Sequence, residues 1–230
     1  MSANCPAEGC GGDEARRLYE TRQLDLISAR WDERAESWDR SLQDPTCHLH
    51  EDDAYGRFIL EAQRVVGARR DFCATRGVID AGCGTGLVIT AVIEAFAWGL
   101  GLDLSEKMVG VATAKRIAKA QFRVGDCFNL SAACPPAGAV MARGVLVSHY
   151  GRELGTRLLA ECRRTLEPGG FLLLDFLNTK ARELHVHKPE NKTYFDRIEI
   201  HAMALEAGFR HAHVLGEDER RVLLLLAERD

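Results

Sequence analysis

The stretch VIDAGCGTGLV, residues 78–88, places an acid and a glycine-rich loop between two apolar runs. The acid is Asp80, and the loop, Gly82–Gly86, has glycine at every second position. Glycine lets the backbone turn sharply and lets a ligand lie directly against the main chain. Where such a loop joins a strand to a helix, the N-terminus of the helix favours an anionic group. The stretch therefore predicts a loop that binds a cofactor.

The spacing of the glycines argues against two common cofactors. A nucleoside triphosphate needs Gly-Lys followed by Ser or Thr after the loop, and no such lysine is present. A nicotinamide dinucleotide needs the pattern G-x-G-x-x-G, whose last position falls here on Leu87 or Ile89. Asp80 would also face the negative charge of a diphosphate. An acid at that position favours a ligand that carries a positive charge.

These residues resemble the first motif of the class I S-adenosylmethionine-dependent methyltransferases, an acid followed by G-x-G-x-G. The cofactor of that family carries a carboxylate, an ammonium, a sulfonium, a ribose and an adenine, but no phosphate. The resemblance implies that the helix N-terminus meets the carboxylate and that Asp80 meets the ammonium. It also implies that the loop lies against the cofactor through Gly82, Cys83, Gly84 and Gly86, with Cys83 contributing only its small size. The alternative for Asp80 is a helix cap.

Two further acids follow apolar runs that predict the second and third strands. Asp103 ends GLGLD, before Leu104, and Asp126 ends FRVGD, before Cys127. The resemblance implies that Asp103 accepts hydrogen bonds from the ribose hydroxyls and that Asp126 accepts one from the adenine amino group. Leu104 and Cys127 are then expected to border the same cofactor site. The alternatives are a cap of the next helix for Asp103 and a turn residue for Asp126.

The methyl acceptor is expected beyond the fourth strand, where ARGVLVSHYGR supplies Arg143, His149 and Tyr150 as candidate catalytic residues. Transfer from a sulfonium is an in-line displacement, in which the protein positions the acceptor and excludes water. A hydroxyl acceptor needs a base, and His149 is the first candidate because an unperturbed imidazole has a pKa of about 6.5. Arg143 could clamp a substrate carboxylate, and the resemblance also puts it against the amino acid end of the cofactor. The alternatives are a structural contact for His149 and an ion pair for Arg143.

The N-terminal helices offer three aromatic side chains, Tyr19, Trp31 and Trp38. In many members of the family that act on small molecules, such helices close over the cofactor, and an aromatic face can lie by the sulfonium through cation–π attraction. Tyr19 is a candidate for this role. Trp31 and Trp38 are instead expected to pack along an apolar seam against the rest of the chain.

The order of apolar runs predicts how these residues are positioned. From Asp13 to about residue 76 the spacing is helical, and beyond it short apolar runs alternate with helical stretches. This alternation predicts a doubly wound α/β fold with a mostly parallel seven-stranded sheet, closed by an antiparallel C-terminal hairpin strand. We expect a disordered tail over residues 1–12, an N-terminal helical cap over residues 13–76 and a Rossmann-like methyltransferase domain over residues 77–230.

Two predicted boundaries depend on glycines. The fourth strand is expected over the whole of AGAVMARGVL, residues 137–146. The helix that follows, from about Gly151, is expected to end at Pro168-Gly169-Gly170, because proline and glycine terminate helices.

Composition narrows the classes of partner. The 230 residues carry 30 basic and 34 acidic side chains, a formal net charge of −4, so nucleic acid is an unlikely partner. No apolar run reaches the length of a membrane-spanning helix and no secretory signal is visible, so no membrane partner is expected. The 8 cysteines are scattered without a Cys-x-x-Cys pair, which predicts no zinc site and a cytoplasmic location. His185 and His187 are expected to be exposed rather than to bind a metal.

The function favoured by these residues is S-adenosylmethionine-dependent methyl transfer to an oxygen or nitrogen of a small molecule, by a monomer or homodimer. The segment between the fifth strand and the last helix, residues 178–194, is too short for the insertions that large substrates require. Two alternatives stay open: an RNA or peptide methyltransferase, and a protein that binds S-adenosylmethionine without catalysis.

Overall fold

The computed structural model describes residues 17–43, 53–144, 146–184 and 191–230. The predicted tail over residues 1–12 lies outside the described residues, as do His185 and His187. Within the described ranges, no helix is long and apolar enough to cross a membrane.

Seven strands in the described part of the chain form one sheet, in the order β3-β2-β1-β4-β5-β7-β6. They are β1 (Gly77–Ala81), β2 (Trp98–Asp103), β3 (Ala120–Val124), β4 (Ala137–Ala142), β5 (Leu166–Leu177), β6 (His211–Leu215) and β7 (Val222–Glu228). The first five strands are parallel, whereas β7 runs antiparallel to both β5 and β6. The strand order reverses between β1 and β4, which is where doubly wound sheets bind their ligands. The predicted fold, including the antiparallel C-terminal hairpin, is confirmed.

Helices flank this sheet on both faces. They are α1 (Leu24–Asp32), α2 (Ala35–Gln43), α3 (Ala54–Ala68), α4 (Arg70–Ala74), α5 (Leu87–Val92), α6 (Glu106–Ala114), α7 (Leu130–Ala133), α8 (Arg152–Thr165) and α9 (Arg197–Glu206). Short 3-10 turns cover Ile93–Ala95, Cys127–Asn129, Leu146–His149 and Arg182–Leu184. Ser105 caps α6 as predicted, because its hydroxyl accepts a hydrogen bond from the Met108 amide at 3.0 Å.

The sheet buries two apolar layers because alternate residues of a strand point to opposite faces. One layer contains Ile79 and Val140 and includes buried residues of α8 and α9. The other contains Val78 and Met141 and includes buried residues of α3 and α5. Every residue of β1 and β4 is buried, as expected for central parallel strands that are covered on both sides. These two rigid strands carry the loops at the candidate site.

The N-terminal helical segment occupies two places on the sheet domain. Helix α3 packs its buried residues, among them Phe58 and Val65, on one face of the sheet. Helices α1 and α2 instead pack on α6, near the carboxyl ends of the strands. The described residues 17–43 and 53–76 contain no strand, in agreement with the helical spacing. The division of the chain at residue 76 stays a prediction.

Two predicted boundaries are wrong. Strand β4 ends at Ala142 rather than at residue 146, because Gly144 has a left-handed φ of +99° and a 3-10 turn follows. Helix α8 ends at Thr165 rather than at the Pro-Gly-Gly turn, and β5 begins directly at Leu166. Pairing with β4 explains the second difference: Leu166 pairs with Ala137 and Phe171 with Ala139, so the turn forms an irregularity inside the strand.

Candidate active site

The glycine loop, Gly82–Gly86, joins β1 to α5 at the carboxyl edge of the sheet. Its three glycines have φ of +74°, +49° and +81°, in the left-handed region that favours glycine. The backbone amides of Gly82 and Cys83 both donate to the Leu102 carbonyl, at 2.8 and 2.9 Å. These hydrogen bonds hold the loop in one shape against the end of β2.

The glycines of the loop differ in their surroundings. A Cβ at Gly84 would meet only the Met108 sulfur, at 4.0 Å, and one at Gly82 only the side chain of Leu146, at 3.6 Å. A Cβ at Gly86 would lie 2.8 Å from the ring of Phe122. Gly82 and Gly84 therefore leave one side of the loop open, whereas Gly86 allows α5 to pack closely on β3.

Asp80 lies in β1, two residues before the loop, and is 1% exposed. Neither carboxylate oxygen has a hydrogen-bond partner among the described residues. Burial raises the pKa of Asp80 to about 8, with a further contribution from Asp103, while the charge of Arg143 opposes the rise. A buried carboxylate without a partner is costly, and an ammonium group would satisfy it. This arrangement fits the role that the resemblance implies for Asp80.

Asp103 ends β2 and connects the loop to the next helix. Its Oδ2 accepts from the Gly84 amide at 2.8 Å and its Oδ1 from the Ser105 amide at 2.9 Å. Burial raises the pKa of Asp103, and these two amides oppose the rise. The carboxylate thus has a structural role in addition to its place in the cavity wall.

Asp126 follows β3 and accepts from the Phe128 amide through Oδ1, at 3.0 Å. Its other oxygen forms an ion pair with the guanidinium of Arg22. Arg22 also lies on the ring of Phe128, with Cζ 3.8 Å from the ring centroid. Arg22 therefore contacts Asp126, the carboxylate that is expected from the resemblance to accept a hydrogen bond from the adenine amino group. Sequence reasoning missed Arg22, because no local pattern connects it to an acid 104 positions away.

A cavity at this edge of the sheet brings the predicted residues together. Every predicted cofactor residue except Gly86 lines it: Tyr19, Asp80, Gly82, Cys83, Gly84, Asp103, Leu104, Asp126, Cys127 and Arg143. The candidate catalytic residues Arg143, His149 and Tyr150 line it too. Sequence reasoning did not place Ile27, Trp31, Trp38, Thr85, Leu87, Val88, Met108, Gly144 and Leu146 in this wall. The cofactor and catalytic roles of the individual residues stay predictions.

Two cysteines form part of the wall as buried thiols. Burial, with added repulsion from nearby acids, raises the pKa of Cys83 and Cys127 well above the usual value for a thiol. A thiol that stays protonated is a poor nucleophile and a poor metal ligand. The described residues contain no group of three or more His, Cys, Asp or Glu side chains that could hold a metal ion.

The N-terminal helices bind the loops around the cavity through polar contacts. Asp39 of α2 accepts a hydrogen bond from the Thr85 hydroxyl at 2.5 Å. Asp32 of α1 accepts from the Ser105 hydroxyl, and from the Lys107 amide at 3.1 Å. With the ion pair at Asp126, the N-terminal segment contacts the loops after β1, β2 and β3. Residues 17–43 therefore cover the cavity, and we call them the lid.

The lid contributes aromatic side chains to the cavity. Tyr19 is 2% exposed, and its hydroxyl accepts a hydrogen bond from Trp31 Nε1 at 2.9 Å. Trp31 packs against the core layer of Ile79, as the predicted seam requires, and meets Trp38 edge to face at 5.7 Å between ring centroids. Both indoles also line the cavity, and the seam predicted for Trp38 stays a prediction.

His149 ends the 3-10 turn after β4 and is 5% exposed. Its ring lies 4.4 Å from the ring of Tyr19 and 6.0 Å from that of Trp31, between centroids. The Nζ atom of Lys192, a buried side chain, lies 2.6 and 2.7 Å from the two ring nitrogens. Lys192 was not predicted, since it comes from a loop 43 positions further along the chain.

The surroundings of His149 determine its protonation. Burial, and then the positive charges of Lys192, Arg30 and Arg34, lower its pKa well below the usual value for an imidazole. The ring is therefore neutral at pH 7 and only weakly basic. These surroundings argue against a general base at His149, whose catalytic role stays a prediction. Burial likewise raises the pKa of Tyr150, so its phenol stays protonated.

Arg143 follows β4 and faces the acid of β1. Its Cζ lies 4.4 Å from the ring centroid of Tyr55, and its Nε has no hydrogen-bond partner among the described residues. Burial lowers the pKa of Arg143, and the charges of Asp175 and Asp80 oppose this. Arg143 is therefore a buried cation within the electrostatic influence of two acids, near the position that the resemblance assigns to the amino acid end of the cofactor.

Comparison with known proteins gives a consistent result. Residues 78–170 match a family model described as a methyltransferase domain. No curated protein matches the chain. Among solved structures, magnesium protoporphyrin IX methyltransferase from Synechocystis PCC 6803, determined with bound S-adenosylhomocysteine, superposes with a TM-score of 0.68 at 20% identity over 90% of this chain and 99% of that one.

Other solved structures share the fold. An S-adenosylmethionine-dependent methyltransferase from Clostridium acetobutylicum has a TM-score of 0.66 at 12% identity, over 84% of this chain and 98% of that one. One from Mesorhizobium loti has a TM-score of 0.60 at 18% identity, over 73% of this chain and 98% of that one. The matched residues 78–170 contain the glycine loop and the three acids Asp80, Asp103 and Asp126. The carboxylate of Asp80, which has no described hydrogen-bond partner, suits the ammonium of the cofactor. Residues 78–170 therefore form a methyltransferase domain, and the chain has the fold of S-adenosylmethionine-dependent methyltransferases.

Proposed function

We propose that this methyltransferase transfers the methyl group to an oxygen or nitrogen of a small molecule. The observation that carries the proposal is the composition of the cavity wall. Asp80 and the glycine loop share this wall with Trp31 and Trp38 of the lid. An acceptor that reaches the methyl group must therefore fit beneath the lid, which suits a compact molecule better than a polymer.

The contacts of the lid support this interpretation. Asp39 binds the loop after β1, Asp32 binds the residues after β2, and Arg22 binds the acid after β3. These contacts hold aromatic rings over the site, and a closed lid would keep water out of it, which would favour a displacement reaction. The Synechocystis neighbour is named for a small molecule, magnesium protoporphyrin IX, and its match covers more of this chain than residues 77–230.

The residues of the chain would bind and orient the reactants. S-adenosylmethionine supplies a methyl group on a positively charged sulfur, which leaves as a neutral thioether. Asp80 would hold the ammonium, Asp103 the ribose hydroxyls and Asp126 the adenine amino group. Tyr19 would present the face of its ring beside the positive charge. Holding the acceptor in line with the methyl group then supplies a large part of the rate enhancement.

Calorimetry with S-adenosylmethionine and S-adenosylhomocysteine tests the cofactor part of the proposal. We expect both to bind, and we expect Asp103→Asn to weaken binding by about 1–3 kcal/mol, as for hydrogen bonds to a charged group. Asp71→Asn, at an exposed acid in the first turn of α4, is the matched control and should bind normally. Unchanged affinity in Asp103→Asn, with an unchanged melting temperature, would remove Asp103 from the cofactor site.

Transfer of a labelled methyl group tests the acceptor class. The enzyme is incubated with methyl-labelled S-adenosylmethionine and, separately, with a small-molecule extract, total RNA and a peptide digest. We expect label in the small-molecule fraction alone. Label in RNA, together with binding that falls steeply with salt, would favour the RNA alternative instead. Label in the peptides would contradict the proposal equally.

A further inference from the structure

One side chain of the lid, Arg22, contacts two residues that follow β3. Its guanidinium forms an ion pair with Oδ2 of Asp126. Its Cζ also lies 3.8 Å from the ring centroid of Phe128, within the range of a cation–π contact. A planar guanidinium can make both contacts at once, because it donates from its edge and stacks through its face. The acid at the predicted adenine end of the site is therefore paired with a residue of the lid.

Arg22 reaches this acid from outside the cavity. Asp126 and the adjacent Cys127 line the cavity, whereas Arg22 and Phe128 are not among the described residues that line it. The side chains of Arg22 and Asp126 are 22% and 13% exposed, so the pair is largely shielded from solvent. Arg22 is therefore placed to act on the carboxylate rather than on a ligand in the cavity.

Arg22 and a backbone amide together hold both carboxylate oxygens of Asp126. The Phe128 amide donates to Oδ1 at 3.0 Å, and the guanidinium donates to Oδ2. The carboxylate of an aspartate otherwise rotates over a broad range about its bond to Cβ. Donors on both oxygens restrict this rotation, and each oxygen keeps a second lone pair for a further donor. Without Arg22, the carboxylate would be held through Oδ1 alone.

The backbone at Arg22 also indicates that its side chain has a role. Its φ is +52°, in the left-handed region where a residue other than glycine is uncommon. The Arg22 amide donates to the Tyr19 carbonyl and the Gln23 amide to the Leu18 carbonyl, both at 3.0 Å. These hydrogen bonds close a turn in which glycine would fit with less strain. The contacts of the guanidinium offset the strain of an arginine at this position.

We propose that Arg22 is a positioning residue for adenine recognition, which orients the carboxylate of Asp126 toward the adenine amino group. The proposal rests on the proposed function, in which Asp126 binds that amino group. Asp126 belongs to the sheet domain and Arg22 to the lid, so the adenine end of the site is complete only when the two pack together. Selection of the base is then linked to closure of the lid.

Two ligands that differ in one group test the role of Arg22. Calorimetry compares S-adenosylhomocysteine with its 6-deamino analogue, which carries a hydrogen in place of the adenine amino group. We expect the parent protein to prefer S-adenosylhomocysteine by about tenfold or more, as for a hydrogen bond to a charged group. In Arg22→Met the preference should fall to about threefold or less, because S-adenosylhomocysteine binds more weakly while the analogue is little affected.

The outcomes separate this inference from the proposed function. A parent protein that binds neither ligand, or binds both equally, would contradict the role of Asp126 in the proposed function and this inference with it. Discrimination by the parent that persists in full in Arg22→Met would overturn the inference alone. Tighter binding of S-adenosylhomocysteine by Arg22→Met would overturn it as well, since the guanidinium would then compete with the adenine amino group.

Matched variants separate positioning from folding. Arg22→Lys keeps a cation and should retain most of the preference, whereas Arg22→Gly suits the left-handed φ and should lose it as Arg22→Met does. Arg40→Met, at an exposed arginine of α2, is the control and should behave as the parent. In an Asp126→Ala background, Arg22→Met should cause no further loss of preference, because both residues act through one carboxylate. A lowered melting temperature with an unchanged preference would show that Arg22 has only a structural role.

Discussion

At the scale of single residues, Asp80 destabilises the folded protein when no ligand is bound, and a cationic ligand would remove that destabilisation. Its carboxylate is buried in a central strand, and neither oxygen has a described hydrogen-bond partner. An uncompensated buried charge destabilises a folded protein, so the carboxyl group takes up a proton, and its pKa rises to about 8. A cationic ligand would restore the ionised form. The same feature therefore opposes stability and favours binding.

The pH dependence of stability follows from this pKa. Between about pH 4, where an unfolded aspartate loses its proton, and about pH 8, where folded Asp80 does, the folded state binds more protons. Asp80 therefore makes the free energy of unfolding fall as the pH rises through this range. We expect Asp80→Asn to remove this fall and to raise the stability of the cofactor-free protein at pH 7 by ~2 kcal/mol. Denaturant unfolding at pH 5 and pH 7 measures the difference.

The same substitution should abolish tight cofactor binding, because asparagine offers the ammonium no negative charge. In the parent protein, binding at pH 7 should release a proton, which calorimetry in buffers of different ionisation enthalpy detects. A variant that is less stable at pH 7 than its parent, or binding without proton release, would mean that Asp80 is already ionised in the free protein.

At the scale of elements, the loop, strand and helix around the cofactor residues depend on glycine for different reasons. Gly82 and Gly84 leave one side of the loop open, whereas Gly86 is the N-cap of α5 and lets the helix approach Phe122 of β3. Gly86 also has a φ of +81°, so a side chain there would add backbone strain to a clash. The position of the helix, and with it the shape of the loop, depends on this residue.

We expect Gly86→Ala to destabilise the protein by about 2–4 kcal/mol, from left-handed strain and overpacking together. Gly110→Ala is the matched control in the neighbouring helix α6, where a Cβ would meet no described atom within 4 Å. This control should be slightly stabilising, by roughly 0.5–1 kcal/mol, because alanine is the better helix former. Thermal unfolding of both variants makes the comparison, and equal melting temperatures would argue against close packing at Gly86.

At the scale of the whole molecule, the lid is connected to the sheet domain by contacts distant in sequence. Asp32 pairs with Ser105 and Lys107, 73 and 75 positions away, and so caps α6 from another part of the chain. The lid also contributes Tyr19 and Ile27 to the core layer of Ile79. Its polar contacts border the cavity directly, so closure of the lid and occupation of the site are expected to be coupled.

Asp32→Ala tests this coupling. The loss of a cap should weaken the contact of α1 with α6 by about 1 kcal/mol and increase hydrogen exchange over residues 24–43. S-adenosylhomocysteine should dissociate faster, since the lid opens more often. Asp25→Ala removes an exposed acid from the same helix and serves as the control. Faster exchange without faster dissociation would separate the lid from the cofactor site.

The sequence by itself determined the features that depend on neighbouring residues. Strand and helix order, the glycine loop, and the acids at the ends of β1, β2 and near β3 all follow from local spacing, because parallel strands bring their carboxyl ends to one edge. The tertiary structure alone decided which side chains meet across long separations. Arg22 with Asp126, Lys192 with His149, and the two indoles in the cavity wall have no local pattern. It also decided protonation, since the pKa of Asp80 and of His149 depends on burial and on charges from distant elements. The cofactor could therefore be inferred from local sequence, whereas the contacts around His149 form only when the lid and the loop before α9 fold against the residues that follow β4.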